Sequence, residues 1–420
     1  MRFCMVTTFY PPWGFGGDAV FVQHLAHALG DRGHEIHVVH CRDSFRALGG
    51  DAGDAVPSAH PNVVLHGLES RVGRLSPLAT HQTGRPLFKT RELRRLLDGG
   101  FDVIHFHNVS LVGGPAVLRL GSAVKLYTLH EYWLLCPTHL LFRFEREPCE
   151  RPTCFSCTLA QLRPPQLWRR GGALARSVAH VDAFLSPSRF GIEIHRRHGL
   201  DVPFVHLPNF VPTSASDGRG ADARAPEEPY FLYVGRLETA KGAHTLLPFF
   251  RRFGRATLLL AGTGRDDARL RRLADGCDRI RFLGALPPAQ LAALYRGAVA
   301  VIVPSLTFEL FPLVVLEAFR EGTPVVARNL GSLPEIVAES GGGVTYDDDR
   351  DLEPALERLL ADRPWRDELG RRAADAQARL WSSAAHVDRY LDLVRDLTER
   401  RAARFGAPRD AKEGASCRPA

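Results

Sequence analysis

The chain is patterned as two successive runs of short apolar segments, separated by stretches with helical periodicity. In the first run Phe3 to Val6 reads as a strand, Ala19 to Arg32 as a helix and Ile36 to His40 as a strand, with Gly33 where a glycine closes a helix. Val63 to Leu65, Val103 to Phe106, Lys125 to Leu129 and Ala183 to Ser186 continue the series as strands. The second run supplies Phe231 to Val234, Thr257 to Ala261, Ile280 to Leu283, Ala298 to Val303 and Pro324 to Ala327. Strands spaced by helix-length segments imply parallel pairing, so each run is expected to form a doubly wound α/β sheet.

Between the runs, residues 212–229 (PTSASDGRGADARAPEEP) are rich in Ser, Gly, Ala, Asp and Pro and have no apolar period, which marks a linker. The expected organisation is a first domain at 1–211, the linker at 212–229, a second domain at 230–385, a closing helix at 386–400 and a disordered tail at 401–420. A chain of 420 residues is long enough for two cores of that size. Each run opens as strand, glycine-bearing loop, helix: Phe3 to Val6 leads to Gly14, Gly16 and Gly17, and Phe231 to Val234 leads to Gly235 and Gly242. Glycine lets backbone come close to a ligand, and the helix behind it points free amides there. Both loops follow the carboxyl ends of their strands, so both are expected to face one shared cleft.

Composition narrows the picture a little. The net charge of +7 suits a nucleic acid, an anionic membrane or a phosphorylated substrate, and suits equally an arginine-rich solvated surface. No stretch approaches the roughly 18 apolar residues of a spanning helix, and Met1 to Tyr10 carry no basic leader, so a cytoplasmic protein is expected. Lysine occurs only at Lys89, Lys125, Lys241 and Lys412, so a lysine inside a motif calls for a reason.

Two segments concentrate chemistry. In Ser305 to Ala327, Pro312 suits the first turn of a helix and Gly322 its end, which leaves Glu309 in the loop before the helix and Glu317 within it. The helix start after Phe311 is an anion site at which the amides of Leu313 and Val314 can meet a phosphate. A carboxylate facing phosphate would repel it, so Glu309 is better used on an uncharged sugar hydroxyl and Glu317 on ribose hydroxyls. In Val234-Gly235-Arg236 to Lys241-Gly242, a guanidinium fork and an ammonium flank a loop that leaves a strand, a sensible clamp for a diphosphate. Gly262 and Gly264, at the end of the next strand, would add close backbone approach.

These segments resemble the family 4 retaining glycosyltransferases, whose signature is a Glu, seven residues, then Glu, preceded by a Gly-Arg to Lys-Gly clamp. The likeness extends to Gly16-Gly17, to Arg32-Gly33-His34-Glu35, to Asp102 through Asn108, to Leu129-His130-Glu131 and to Pro208 through Val211. It implies a GT-B fold: two Rossmann-like doubly wound domains facing a central cleft, the second carrying the donor site. It further implies that Arg236 and Lys241 hold a donor diphosphate, that Glu309 holds the transferred sugar and Glu317 the ribose, and that His130 lies beside the reacting centre. Gly16 and Gly17 would lie near the phosphates or the acceptor. Asp18, Glu131 and Ser332 depart from the family's commoner residues and bear on substrate choice.

The implied activity is transfer of a sugar from a UDP- or GDP-sugar to a hydroxyl of a saccharide, lipid-linked or small-molecule acceptor, in cell-envelope polysaccharide or glycoconjugate synthesis. No cofactor is required for it, and no nucleic-acid partner is expected. The competing readings are a non-catalytic sugar-nucleotide-binding protein or a sugar-nucleotide epimerase on the same fold. A dinucleotide-dependent oxidoreductase is disfavoured because Gly14-Phe-Gly-Gly lacks the required glycine spacing.

Two further features stand outside that resemblance. Cys136, Cys149, Cys154 and Cys157 follow one another with twelve, four and two residues between them, and the last pair has zinc-ligand spacing. Either they are unrelated thiols or they hold a structural zinc. Arg163 to Arg170 couples Trp168 to clustered arginines, either as an ordinary surface helix start or as a peripheral contact with the inner membrane face.

Overall fold

Parallel pairing requires crossovers, and the chain makes them with helices on both faces of two sheets. The computed structural model describes residues 1–53, 55–213 and 228–405. The expected linker therefore lies largely outside the described residues, as does the chain beyond 405. In the first half the strands are β1 (Arg2–Val6), β2 (Glu35–Cys41), β3 (Val63–Leu68), β4 (Val103–Phe106) and β5 (Val124–Thr128). A two-residue hairpin follows, β6 (Phe142–Arg143) with β7 (Glu147–Pro148), and then β8 (Ala183–Ser186) and β9 (Phe204–His206). The second half holds β10 (Tyr230–Val234), β11 (Thr257–Ala261), β12 (Ile280–Gly284), β13 (Ala300–Val303), β14 (Val325–Arg328) and β15 (Gly343–Tyr346).

The strand orders are β3-β2-β1-β4-β5-β8-β9 and β12-β11-β10-β13-β14-β15, with every pairing in both sheets parallel where register is resolved. In each sheet the order reverses at the first strand, between β1 and β4 and between β10 and β13. Such a reversal opens a crevice at the carboxyl ends, so the loops after β1 and β10 are where a ligand would sit. Period-two alternation sends Phe3 and Met5 of β1 into one core and Cys4 and Val6 into another. The second sheet is sandwiched the same way.

The last helix, Ser383–Phe405, does not stay with the second half. Val387, Tyr390 and Val394 are fully buried among Phe3, Phe21 and Phe210 of the first. Each buried valine contributes about 1.5–3 kcal/mol relative to exposure, so this docking is a substantial part of the first domain's core. Tyr390 Oη lies 3.1 Å from His105 Nδ1, and His386 Nδ1 lies 2.7 Å from the Pro208 carbonyl. A tail was expected from Arg401, but the helix runs through Phe405 and Arg401 donates to the carbonyls of Ser122 and Ala123; the rest of that expected tail lies outside the described residues. No helix among the described residues is long and apolar enough to cross a membrane.

Candidate functional site

Three loops of the second half stack backbone on backbone. Gly242 has φ +76°, and a Cβ there would fall 1.9 Å from the Pro304 carbonyl oxygen. At Gly262 a Cβ would fall 2.0 Å from the Gly235 carbonyl oxygen. Glycine is therefore demanded by contact between loops, where the sequence suggested contact with a ligand. Gly264 is packed against Leu237 in the same manner.

This stacking delivers Lys241 to Glu309. Lys241 Nζ donates to Glu309 Oε1 at 2.7 Å, and Ser305 Oγ donates to the same oxygen at 2.6 Å. Burial alone would raise the Glu309 carboxyl, but Lys241, Ser305 and Arg236 outweigh it and hold the group below its ordinary value. Arg236 is half-exposed and donates to Glu238 at 2.9 Å. The two groups expected to handle separate parts of a ligand thus neutralise each other.

Pro312 is the N-cap of the helix Leu313–Arg320, and its side chain caps nothing, so the first amides of the helix depend on other partners. Leu313 approaches the first half, its Cδ1 lying 3.4 Å from where a Cβ on Gly17 would be. Phe311 is buried with its ring edge-on to Trp381 at 5.7 Å, so its side chain belongs to the core and only its backbone is left for the cleft. Glu317 accepts from Tyr295 Oη at 2.8 Å; burial raises its carboxyl above the usual value, against the lowering influence of Tyr295 and Arg320.

Across the cleft, Gly16 and Gly17 open the helix Gly16–Asp31. Asp18 follows, accepting from Asn108 Nδ2 at 3.3 Å. Burial and the nearby Glu131 carboxylate push the Asp18 carboxyl up to about 6, while Asn108 and Arg236 pull the other way. His130 Nε2 pairs with His107 Nδ1 at 2.9 Å. Burial first, and His386 second, lower His130 to about 3, so the ring is neutral at physiological pH. His105 is fully buried between Thr128 and Tyr390, a core histidine. Glu131 pairs with His139 at 2.8 Å, and its Oε1 is buried without a partner. Tyr295 was not picked out from the sequence, and Asn108 and Ser305 entered only as members of longer segments, with no role of their own. Ser305 lay inside the quoted segment, four residues from Glu309, whereas Tyr295 reaches Glu317 from a different helix.

Four contacts tie the halves together over this cleft. Glu335 receives the backbone N–H of Arg189 at 2.8 Å and of Phe190 at 3.0 Å, so a carboxylate of the second half caps the helix Arg189–Arg197 of the first. Thr307 Oγ1 donates to the Leu140 carbonyl at 2.6 Å, Arg265 pairs with Glu145 at 2.8 Å, and the Phe190 and Phe308 rings meet at 5.2 Å.

Leu140 and Glu145 belong to the cysteine-bearing loop. Its four cysteines, Cys136, Cys149, Cys154 and Cys157, line one cavity of about 10 Å³. All four are free thiols, and burial and the other three sulfurs raise the Cys149 thiol to about 11. As the side chains stand, no three His, Cys, Asp or Glu among the described residues form a ready metal-ligand set.

Two family descriptions match the chain: Glycosyltransferase Family 4 over residues 15–215 and Glycosyl transferases group 1 over residues 218–376. A D-inositol 3-phosphate glycosyltransferase of Thermobifida fusca is 32% identical over 320 residues, covering 71% of this chain and 70% of the relative. The enzyme of the same name from Pseudarthrobacter chlorophenolicus is 27% identical over 396 residues, 89% of each chain. Among solved structures, sucrose-phosphate synthase from Thermosynechococcus elongatus superposes with a TM-score of 0.74 at 21% identity, covering 95% of this chain and 99% of that one. Anabaena HepE in complex with UDP gives 0.63 at 16% identity, covering 94% and 100%. These likenesses establish the two-domain GT-B architecture.

Proposed function

Because the chain belongs to the family 4, group 1 glycosyltransferases, we propose that it moves a sugar from a nucleoside-diphosphate donor to a hydroxyl acceptor with retention of anomeric configuration. The observation that carries this reading is the Lys241–Glu309 pair at 2.7 Å, set beside Arg236 and an uncapped helix start. Arg236, Lys241 and the amides of Leu313 and Val314 would take the donor diphosphate. Glu309 would take a hydroxyl of the transferred sugar and Glu317, with Tyr295, the ribose. HepE is a protein of this architecture solved with UDP, which favours a UDP-sugar.

Glu309 accepts from Lys241 and Ser305 through Oε1, and Asp18 from Asn108 through Oδ2, so both carboxylates are given binding roles and neither is assigned as a nucleophile. The departing phosphate oxygen then accepts the acceptor's proton while the C1–O(phosphate) bond breaks and the new C1–O bond forms on the same face. The protein stabilises the charge that develops on the leaving group, which is the larger part of such catalysis. Two cations and a helix end supply that stabilisation, so the scheme routes no step through a metal. Neutral His130 would act as a hydrogen-bonding partner of the sugar or acceptor.

A peripheral membrane station is part of the same proposal. Leu75, Leu78, Leu87 and Phe88 are exposed on one segment and Phe155, Leu159, Leu162 and Leu167 on a neighbouring one, and Trp168 Nε1 donates to the His81 carbonyl between them. Arg163 and Arg170 lie among these residues, a combination suited to an anionic surface presenting a lipid-linked envelope acceptor.

The test is donor titration of Lys241→Ala against Arg350→Ala, whose side chain is 91% exposed and pairs with Asp348. Loss of a charge-assisted bond predicts affinity about 10- to 100-fold weaker for the first and unchanged for the second. Equal affinities would remove the diphosphate assignment, and an inverted product anomer by NMR would remove retention. Thermal shift against UDP-, GDP-, ADP- and dTDP-sugars would name the base, since a donor that binds the native state raises its melting temperature.

A further inference from the structure

We propose that Cys136, Cys149, Cys154 and Cys157 bind one zinc ion as thiolates, and that this ion holds residues 136–162 as a strap from the acceptor half onto the donor loops. All four cysteines border a single cavity about the size of one water molecule, walled by Pro137, Thr138, Phe142 and Thr158. Zinc takes four thiolates as a closed tetrahedron at about 2.3 Å, which fits so small a space.

The backbone of this loop supplies an independent argument. All five non-glycine residues with left-handed φ among the described residues fall here: His139, Leu141, Phe144, Glu145 and Leu162. Side chains with a Cβ avoid that conformation, and it persists where surrounding structure over-determines it. Yet the regular structure of the loop amounts to the two-residue pairing of β6 with β7 and the short helix Cys154–Ala160, with no disulfide. A covalent-like anchor at four points supplies the missing constraint.

The surroundings also suit thiolates. Cys157 Sγ accepts from the Phe144 amide and from Gln161 Nε2, each at 3.3 Å. Binding releases the thiol protons and leaves a site of charge −2. Arg143 lines the cavity, and Arg169 is held close by, donating to the Trp133 carbonyl at 2.6 Å. Arg143 also pairs with Glu147, so Arg169 is the guanidinium left to offset part of that charge. The thiols do not yet stand as a ligand set. A cysteine turns about a single side-chain bond, so rotation around the cavity that each already lines is what closure requires.

The consequence reaches the cleft. From this loop Glu145 pairs with Arg265, three residues past Gly262, and the Leu140 carbonyl receives the hydroxyl of Thr307, two residues before Glu309. The ion would therefore set the position of a strap whose far contacts lie beside the donor loops, without itself touching the reaction.

The test uses the untagged full chain. Elemental analysis after exhaustive dialysis should find about one zinc per chain, and a mercurial that titrates thiols should release it in step with the modification of four cysteines. Cys157→Ser should lose the metal. Should that variant fail to fold, chelator-treated wild type replaces it. Once stripped, the wild type should be cut by protease between 139 and 162 about tenfold faster or more, and zinc but not magnesium should restore protection. Absence of zinc, with the four thiols reacting freely in the folded chain or found as disulfides, would overturn the site. Retention of the metal in Cys157→Ser would do the same. Full donor affinity and unchanged proteolysis in the stripped protein would overturn the strap. None of these readouts depends on which sugar is transferred.

Discussion

Glu309 accepts from both Lys241 and Ser305, so its carboxylate is oriented before any ligand arrives. Orientation of that kind acts mainly on the transition state, where a lost charged hydrogen bond costs about 2–4 kcal/mol. Glu309→Gln is therefore expected to reduce single-turnover transfer roughly 30- to 1000-fold. Its donor affinity should hold or tighten, because Lys241 is released from its anionic partner. Glu317→Gln should act in the opposite sense, weakening donor binding with a smaller effect on the chemical step, since a ribose contact is shared by ground and transition states. Donor titration combined with single-turnover kinetics separates the two; full activity in Glu309→Gln would remove its assigned role. The spacing of the two glutamates and the rarity of lysine made these positions legible in the sequence. Tyr295, the partner of Glu317, was not, because tertiary packing brings it in from another helix 22 residues away, and Asn108 likewise reaches Asp18 across 90 residues. Lysine scarcity alone would also have misled at Lys89, which is 2% exposed and lies 3.0 Å from Cys41 Sγ in the core.

Among elements, the helix Leu333–Ser340 has the most unexpected task. Glu335 sits in its first turn, yet the helix it caps is another one, which begins 146 residues earlier in the other half. A cap is worth about 0.5–2 kcal/mol, and here that energy links the two halves as well as satisfying the helix end. Glu335→Ala is expected to lower the melting temperature by only a few degrees, yet to raise the donor KM several-fold and to enlarge the particle in solution scattering. Unchanged KM and dimensions would reduce the contact to a local cap. The strands of both sheets were largely readable, since buried parallel strands are continuous apolar runs. Phe204–His206 and Gly343–Tyr346 were not: one is three residues long and the other follows a run of glycines, so neither presents enough apolar positions to register. The β6–β7 hairpin is shorter still, and its shape is set by left-handed turns that residue identity does not announce.

For the molecule as a whole, the first domain and the last helix share a core threaded with histidines. His105, His107, His130 and His386 all have lowered pKa values, chiefly through burial, with His130 at about 3 and His386 at about 4. The unfolded chain binds protons on these rings near pH 6.5 and the folded chain does not, so stability is full above that value and declines as pH falls from about 6.5 toward 4. Asp18, raised to about 6, acts in the opposite sense but is one group against four. Thermal denaturation should show a melting temperature lower by roughly 5–10 °C at pH 5 than at pH 7.5, with His386→Asn flattening the dependence. A flat profile in the wild type would mean that these rings bind protons in the folded core as readily as in the unfolded chain. The same core has a consequence for how the gene can be cut. Tyr390, Val387 and Val394 belong to the first domain although they are encoded last, so a break between 213 and 228 does not separate the protein into its two domains. The front fragment would lack a piece of its own interior and the back fragment would carry it. The two would be expected to recognise one another and reassemble, which makes the enzyme a natural candidate for conditional reconstitution from split halves.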